Sequence, residues 1–341
     1  RLNGFFKIKN LWPQIKLNIK RHISSLDCIH NRKILKLIRQ IAESDEFVNH
    51  SILRQLWIDS NKESSFLFKR DLKPRTLRDL NHNTSNVQVL LLPDHNKIVN
   101  NLFENGYSVT DRALERQTTD SIFNQLMNLN VIPSGKKNNK EQQPLPEDQM
   151  LAKDVMNKDN LPWRRWTFNS EDLLSIPEVS CILHDLAMQN IASDYIGSNL
   201  PIIIKPTSWI SVGREQLSYS EMSSAAQLYH FDYDGFNFLK IFYYLTDVDE
   251  SNGPHTYINE SHKRFPEKLR NVIKPYGRLP DQLIYNIYGL HNEVKITGNA
   301  GKIAFVDTSG FHKGSVLKPN KKRIILQVEY VDEAKRFGRD I

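Results

Sequence analysis

The chain has 341 residues, of which 39% are hydrophobic and 25% are charged. This composition is typical of a folded soluble protein and excludes a disordered or fibrous one. The two cysteines, Cys28 and Cys181, lie far apart in the sequence, which excludes a disulfide framework and indicates a reducing compartment, so we expect a cytoplasmic protein. No apolar run approaches the roughly 18–20 residues that a membrane-spanning helix needs.

The positive charge of the chain is concentrated at its N-terminal end. Residues 1–40 contain ten Lys or Arg and one acid, Asp27, which gives +9; the net charge of the whole chain is +7, so the other 301 residues sum to −2. We therefore expect no nucleic-acid partner for the main domain. Residues 1–85 are predicted to form a helical, basic extension. Two interpretations of residues 1–40 stay open, an amphipathic helix packed on the main domain and a peripheral contact with an anionic membrane.

Residues 86–335 are predicted to form a single domain that begins with alternating helices and short strands. A buried strand is expected at 87–93, then a helix that ends at Asn105-Gly106 and a strand at Tyr107–Val109. Helical spacing returns over 112–129 and again over 178–197, where Gly197 would close a single helix. The stretch 133–149 is polar and contains three prolines, which predicts a mobile surface loop.

The second half of this domain has the pattern of a β protein. Seven short apolar segments are separated by Gly, Pro, Asn and Asp, and we predict a strand within each of 202–212, 238–248, 255–260, 293–297, 302–308, 314–318 and 323–331. Closely spaced strands of this kind indicate a β-sandwich or barrel. The expected fold is therefore α+β and mainly β, a β-domain supported by helices.

A candidate metal site begins with His230 and Asp232, which are separated by Phe231. Residues two apart in an extended segment point to the same side, so one metal ion could bind both side chains. Two imidazoles and a carboxylate on one face of the metal form the donor set of non-haem Fe(II) oxygenases. His312 lies between two predicted strands and is the candidate for the third ligand. A hydrogen-bonded structural pair is the alternative interpretation of His230 and Asp232.

Arg323, eleven residues after His312, adds a second feature. It stands at the head of an apolar strand, where a charged side chain is costly to bury without a partner. A dicarboxylate co-substrate would supply that partner through a bidentate contact. Lys318–Lys321 has the composition of a hairpin turn, which would pair Arg323 approximately with Ser315.

Together these residues resemble the phytanoyl-CoA dioxygenase family of Fe(II)/2-oxoglutarate-dependent oxygenases. The resemblance covers roughly residues 96–331 and rests on His230-x-Asp232, on "YLTDVDESNGPHTYINESHK", on His312 and on Arg323. It implies a double-stranded β-helix (jelly roll), with His230, Asp232 and His312 holding Fe(II) and Arg323 binding 2-oxoglutarate. It also implies O2-dependent hydroxylation of a C–H bond, with decarboxylation of 2-oxoglutarate to succinate. Glu260 and Tyr229 depart from the residues that the family usually has at their positions.

Further pocket residues are predicted with their alternatives. Ser315 is expected to share the 2-oxoglutarate carboxylate or to be a cross-strand hydroxyl. Lys240 is expected to face 2-oxoglutarate or the substrate, or else to be exposed, and Gln227 is expected to line the pocket. His255 and His262 are left out of the metal triad.

Two other functions are weighed against the oxygenase. One is a cupin-type metal enzyme that does not use 2-oxoglutarate, and Arg323 argues against it. The other is a non-catalytic jelly-roll module that docks on a membrane or a partner protein. For the oxygenase the expected substrate is a small organic or lipid-linked molecule, whose identity the sequence does not specify.

Overall fold

The computed structural model describes residues 57–58, 94–110, 114–134, 145–197, 202–215, 218–234, 237–270, 273 and 277–331. The predicted N-terminal extension, apart from Trp57 and Ile58, and the predicted strand at 87–93 lie outside these residues. No helix in the described ranges is both long and apolar enough to cross a membrane.

The described helices are α1 His95–Asn105, α2 Arg116–Met127, α3 Ala152–Asn157, α4 Ser170–Leu174, α5 Pro177–His184, α6 Leu186–Ile196, α7 Tyr219–Ser224, α8 Glu267–Arg270 and α9 Asp281–Tyr288. Short 3-10 turns occupy Pro146–Asp148, Glu250–Asn252 and Leu290–Asn292. The strands are β1 Tyr107–Thr110, β2 Asn130–Ser134, β3 Met150–Leu151, β4 Arg165–Phe168, β5 Ile202–Val212, β6 Phe238–Tyr244, β7 His255–Ile258, β8 Glu293–Ile296, β9 Ile303–Val306, β10 His312–Gly314 and β11 Lys322–Val331.

The helix ends follow local chemistry. The Asp94 carboxylate accepts a hydrogen bond from the Lys97 N–H at the start of α1, and Gly106 ends the helix in the left-handed region, which confirms the predicted boundary. The prediction of one helix over 178–197 is wrong. Asp185 has extended backbone angles, and its carboxylate caps the N–H groups of Ala187 and Met188, so α5 stops and α6 begins there.

Two antiparallel sheets form the β-domain. The larger has the strand order β1-β9-β6-β11-β5-β4-β2-β3, and the smaller has the order β10-β7-β8. From β5 onward the chain passes repeatedly between the sheets, with β5, β6, β9 and β11 in the larger and β7, β8 and β10 in the smaller. An isolated bridge between His230 and His312 extends the smaller sheet beyond β10. This alternation is the topology of a jelly roll, and it confirms the predicted fold.

Strand β11 divides the interior into an apolar core and a polar cavity. Ile324, Leu326, Val328 and Tyr330 belong to the main apolar core, together with buried residues of the helices. The intervening residues Arg323, Ile325 and Gln327 line a cavity on the opposite face. Alternation of side chains along the strand produces both surfaces. Because both faces are covered, the strand is almost entirely buried and its sequence is nearly continuously apolar.

Three local predictions are corrected. Pro133 and Ser134, predicted as loop, complete strand β2, where they pair with β4. Residues 315–318 do not continue β10, because the Ser315 and Lys318 N–H groups donate to Pro254 O and Ser251 O instead of to a neighbouring strand. Arg323 does not pair with Ser315 either. It lies opposite Ser211 of β5, since β10 and β11 belong to different sheets.

Candidate active site

The backbone brings the two candidate histidines directly opposite each other. The His230 N–H donates to His312 O at 3.0 Å, and the His312 N–H donates to His230 O at 2.9 Å. Two residues further on, the Asp232 N–H donates to Thr308 O at 2.8 Å. His230 and Asp232 therefore occupy an irregular extended segment outside the named strands. A distance of 82 residues in sequence becomes direct backbone pairing in the fold.

The side chains of His230, Asp232 and His312 form a compact donor set. One ligand atom from each lies within 4.8 Å of the others, and all three residues are buried. Nδ1 of His230 donates to Leu228 O at 2.9 Å, and Nδ1 of His312 donates to Gly310 O at 3.0 Å. These bonds place the proton on Nδ1, so the Nε2 lone pairs, 3.9 and 3.6 Å from the Asp232 carboxylate, are available to a metal.

The electrostatics keep each group in its metal-binding form. Burial lowers the pKa of His230 and of His312, which keeps both imidazoles neutral. Burial alone would raise the pKa of Asp232, but the charge of Lys240 and its hydrogen bond to the carboxylate outweigh burial and hold that pKa well below its usual range. The Lys240 ammonium donates to Asp232 Oδ2 at 2.7 Å and lies 2.8 Å from Asp234 Oδ2. The carboxylate stays ionised because a buried cation is fixed beside it.

Phe231 anchors the triad from the opposite side of the chain. Its ring packs against Trp57 at 5.9 Å, Phe265 at 4.8 Å and Phe311 at 5.8 Å between ring centroids. Trp57 is 1% exposed and also contacts Tyr233 and Phe265. A tryptophan from outside the jelly roll thus supports the segment that carries His230 and Asp232.

A cavity of about 350 Å³ opens beside the three donors and also contains Arg323. The Arg323 side chain is buried, and its Nε and Nη1 atoms have no hydrogen-bond partner among the described residues. Burial lowers the pKa of Arg323 to about 10, which leaves the guanidinium charged at neutral pH. A donor set for a metal and an unpaired buried cation therefore share one cavity.

The other predicted pocket residues are also brought to this cavity. Ser315 lines it, with its hydroxyl 2.6 Å from the Thr256 hydroxyl. Gln227 lines it with a buried Oε1 that has no partner among the described residues. Lys240 is part of the wall, but its ammonium is directed to Asp232 and Asp234. A contact of Lys240 with a co-substrate would have to compete with these two carboxylates.

Among the further cavity residues, which were not predicted as site residues from the sequence, four are ionisable, namely Arg164, Arg165, His255 and Arg278. Arg165 and Arg323 both lie opposite Ser211, one on each side of it, and the Arg165 guanidinium lies 4.2 Å from the centroid of the Trp209 ring. The sequence "WRRWTF" places two adjacent arginines among aromatic residues. Charged residues in an apolar segment were the reason for predicting Arg323, and the same reasoning could have found Arg164 and Arg165. Arg278 occupies a loop sequence that carries no comparable signal.

His255 lies against the triad without joining it. Its ring stacks on that of His312 with centroids 5.3 Å apart, and its Nε2 is buried without a hydrogen bond to the described residues. Burial lowers the pKa of His255 well below its usual value, so the ring is neutral. Among the described residues, the compact donor set contains His230, Asp232 and His312 and does not include His255. His262 lies elsewhere, its Nε2 3.1 Å from Phe103 O.

Comparisons with known proteins show similarity in structure only. No family model and no curated protein matches the sequence. One similar solved structure is the non-haem α-ketoglutarate-dependent epimerase SnoN from nogalamycin biosynthesis. The match has 14% sequence identity and a TM-score of 0.47, and it covers 70% of this chain and 80% of SnoN. EvdO2 from Micromonospora carbonacea var. aurantiaca, solved with 2-oxoglutarate, has 11% identity, coverages of 74% and 100%, and a TM-score of 0.46. HygX from Streptomyces hygroscopicus, solved with nickel, 2-oxoglutarate and hygromycin B, has 11% identity, coverages of 69% and 86%, and a TM-score of 0.44. The resemblance to the phytanoyl-CoA dioxygenase family stays a prediction.

Proposed function

We propose that this protein is an Fe(II)/2-oxoglutarate-dependent dioxygenase that hydroxylates a C–H bond of a small organic substrate. The observation that carries the proposal is the joint occurrence, in one cavity, of a buried two-histidine, one-carboxylate donor set and a buried guanidinium whose Nε and Nη1 have no hydrogen-bond partner in the described ranges. Such a donor set suits a non-haem iron with open coordination positions. A guanidinium of this kind suits a carboxylate ligand.

In this proposal the residues have separate roles. Nε2 of His230, Nε2 of His312 and an oxygen of Asp232 hold the metal, and Arg323 binds the carboxylate of 2-oxoglutarate that is remote from the metal. The bound iron and 2-oxoglutarate supply the activation of O2, with release of CO2 and succinate. The protein orients these reactants and keeps water away from them, since the three metal ligands and Arg323 are each no more than 7% exposed.

The remaining cavity residues act on this arrangement in specific ways. Lys240 holds Asp232 ionised and fixes one of its oxygens, which leaves the other free for the metal. The hydroxyl pair of Ser315 and Thr256 and the amide of Gln227 offer neutral hydrogen bonds to bound 2-oxoglutarate or substrate.

The proposal is tested with anaerobic protein, Fe(II) and 2-oxoglutarate. We expect a weak visible charge-transfer band that Arg323→Ala abolishes, and succinate release when O2 is admitted. A metal enzyme that does not use 2-oxoglutarate would bind Fe(II) without the band. A non-catalytic module would show neither the band nor succinate, and that outcome would refute the proposed function.

The basic N-terminal segment leads to a separate proposal about location. Its charge of +9 within residues 1–40 and its interspersed apolar residues favour a peripheral contact of a cytoplasmic enzyme with an anionic membrane, and with it a lipid-linked substrate. Sedimentation with anionic liposomes, with and without residues 1–40, tests the contact. Equal partitioning of both forms would eliminate it.

A further inference from the structure

The cavity has more positive charge than the proposed reaction accounts for. Five cationic side chains lie on its wall, namely Arg164, Arg165, Lys240, Arg278 and Arg323, and a sixth, Arg214, shares the Glu221 carboxylate with Arg164. Four carboxylates compensate them, namely Glu221, Asp232, Asp234 and Glu329. Two positive charges remain among the described residues. Fe(II) and the 2-oxoglutarate dianion cancel each other, so their binding leaves this surplus unchanged.

The surplus is not distributed evenly. Lys240 is matched by Asp232 and Asp234, and Arg164 and Arg214 share Glu221, at 3.8 and 3.6 Å. The cations without a carboxylate in ion-pair contact among the described residues are Arg165, Arg278 and Arg323. Arg165 and Arg323 flank Ser211 in one row of the sheet, so both lie at the end of the cavity that would hold the remote carboxylate of 2-oxoglutarate.

Arg278 stands at the metal end. The Leu279 N–H donates to Tyr229 O at 2.8 Å in an antiparallel bridge, and this pairing places Arg278 opposite His230. Its side chain lines the same cavity as the three candidate metal ligands. The Arg278 Nε donates to Ser223 O at 3.1 Å, which fixes the guanidinium plane, while Nη1 has no hydrogen-bond partner among the described residues. An oriented cation with unused donors therefore lies beside the place where the substrate carbon must react.

From this arrangement we propose that the substrate carries an anionic oxygen group, a carboxylate or a phosphate, and that Arg278 binds this group and so positions the reacting C–H beside the metal. The proposal rests on the function proposed above. Arg278 determines specificity, because a neutral analogue would leave its buried Nη1 unpaired. Arg165 lies next to Arg323, so in this proposal its charge acts on 2-oxoglutarate and not on the substrate.

The experiment uses full-length protein with Fe(II) and saturating 2-oxoglutarate under anaerobic conditions, so that the metal and Arg323 are occupied. Sodium acetate, inorganic phosphate and neutral acetamide are the probes, and the readouts are the visible band and the thermal midpoint. We expect acetate or phosphate to shift both readouts and acetamide to shift neither. The anion that binds more tightly indicates whether the substrate carries a carboxylate or a phosphate. Arg278→Gln should weaken the anion response by about tenfold or more, the usual effect of losing a charge-assisted hydrogen bond.

Two comparisons make the outcome decisive. Arg116→Gln removes the same charge from a side chain that is 94% exposed, and it should leave the anion response unchanged. Arg278→Gln should leave the affinity for 2-oxoglutarate unchanged, whereas Arg323→Gln should lower it strongly. The proposal is overturned if neither anion binds the wild type, if Arg278→Gln responds as the wild type does, or if it loses 2-oxoglutarate as Arg323→Gln does.

Failure of the proposed function has a different signature. In that case the wild type shows no 2-oxoglutarate-dependent band at all. The thermal midpoint of the metal-free protein then reports anion binding by itself. A phosphate-induced rise that Arg278→Gln loses and Arg116→Gln keeps would still support an anion site at Arg278, and the absence of a rise would overturn it.

Discussion

Arg323 is expected to reduce the stability of the empty protein and to be essential for binding 2-oxoglutarate. Burial lowers the pKa of Arg323 from its ordinary value to about 10. Keeping the guanidinium charged at neutral pH therefore costs the fold about 3 kcal/mol, at about 1.4 kcal/mol for each pKa unit. The absence of partners for Nε and Nη1 among the described residues is consistent with a cost of this size.

Replacing Arg323 with Met should therefore have two effects of opposite sign. Methionine fills much of the same space without a charge, so we expect the metal-free, ligand-free protein to gain about 1–3 kcal/mol in the free energy of unfolding. The same variant should lose a buried charge-assisted contact with 2-oxoglutarate, worth about 2–5 kcal/mol, or at least about 30-fold in affinity. Urea denaturation measures the first effect, and anaerobic titration of the Fe(II) protein measures the second.

The matched control is Arg116→Met. Arg116 is exposed, and its ion pair within the described part of the chain is an i,i+4 contact with Asp120 at 3.6 Å, so the free energy of unfolding should change by less than about 0.5 kcal/mol. If Arg323→Met were less stable than the wild type by about 1 kcal/mol or more, the guanidinium would have a stabilising partner within the protein, and the reasoning from its unpaired donors would be wrong. An unchanged affinity for 2-oxoglutarate would remove Arg323 from the co-substrate site.

Three further predictions concern the supports of the site and the fold. Trp57→Ala should lower the free energy of unfolding by about 3–5 kcal/mol and weaken Mn(II) binding, because Phe231 loses its packing. Urea denaturation measures the first effect and Mn(II) titration the second. An unchanged Mn(II) affinity would contradict the supporting role of Trp57. His255→Leu should leave Co(II) affinity unchanged, and a large loss in a Co(II) titration would show that His255 is a ligand. Asp185→Ala should lose about 1 kcal/mol in urea denaturation, whereas Asp185→Asn keeps the cap of α6. Since burial raises the pKa of Asp185 in the folded protein, the wild type gains stability as the pH falls through that raised pKa. If Asp185→Asn is more stable than the wild type at pH 7, this difference in the free energy of unfolding should therefore shrink towards pH 4. A difference that grows would contradict a raised pKa of Asp185.

The role of Lys240 could not be predicted from its sequence position. It lies in a strand whose residues are all buried, and the sequence alone left open a contact with a ligand or an exposed position. The fold places its ammonium between Asp232 and Asp234, so its first effect is on the charge of a candidate metal ligand. A side chain with four flexible carbons reaches partners that only the assembled cavity defines.

The order of the strands was also beyond the sequence. Apolar segments predicted most strands correctly because each segment reports its own local burial. Pairing partners depend on chain segments far away, so the expected neighbour of Arg323 was Ser315, whereas the actual one is Ser211. The break at Asp185 is a local signal of a different kind, since an aspartate can cap a new helix inside an apparently continuous pattern.

The sequence by itself predicted which residues form the candidate site, because His230, Asp232, His312 and Arg323 are recognisable by residue type and spacing. Only the tertiary structure decided that the three donors lie within 4.8 Å of one another and that they share a cavity with Arg323. It also decided that Arg278 stands opposite His230. Residue type and local periodicity are properties of a short segment, whereas proximity, burial and charge balance arise when distant segments pack together.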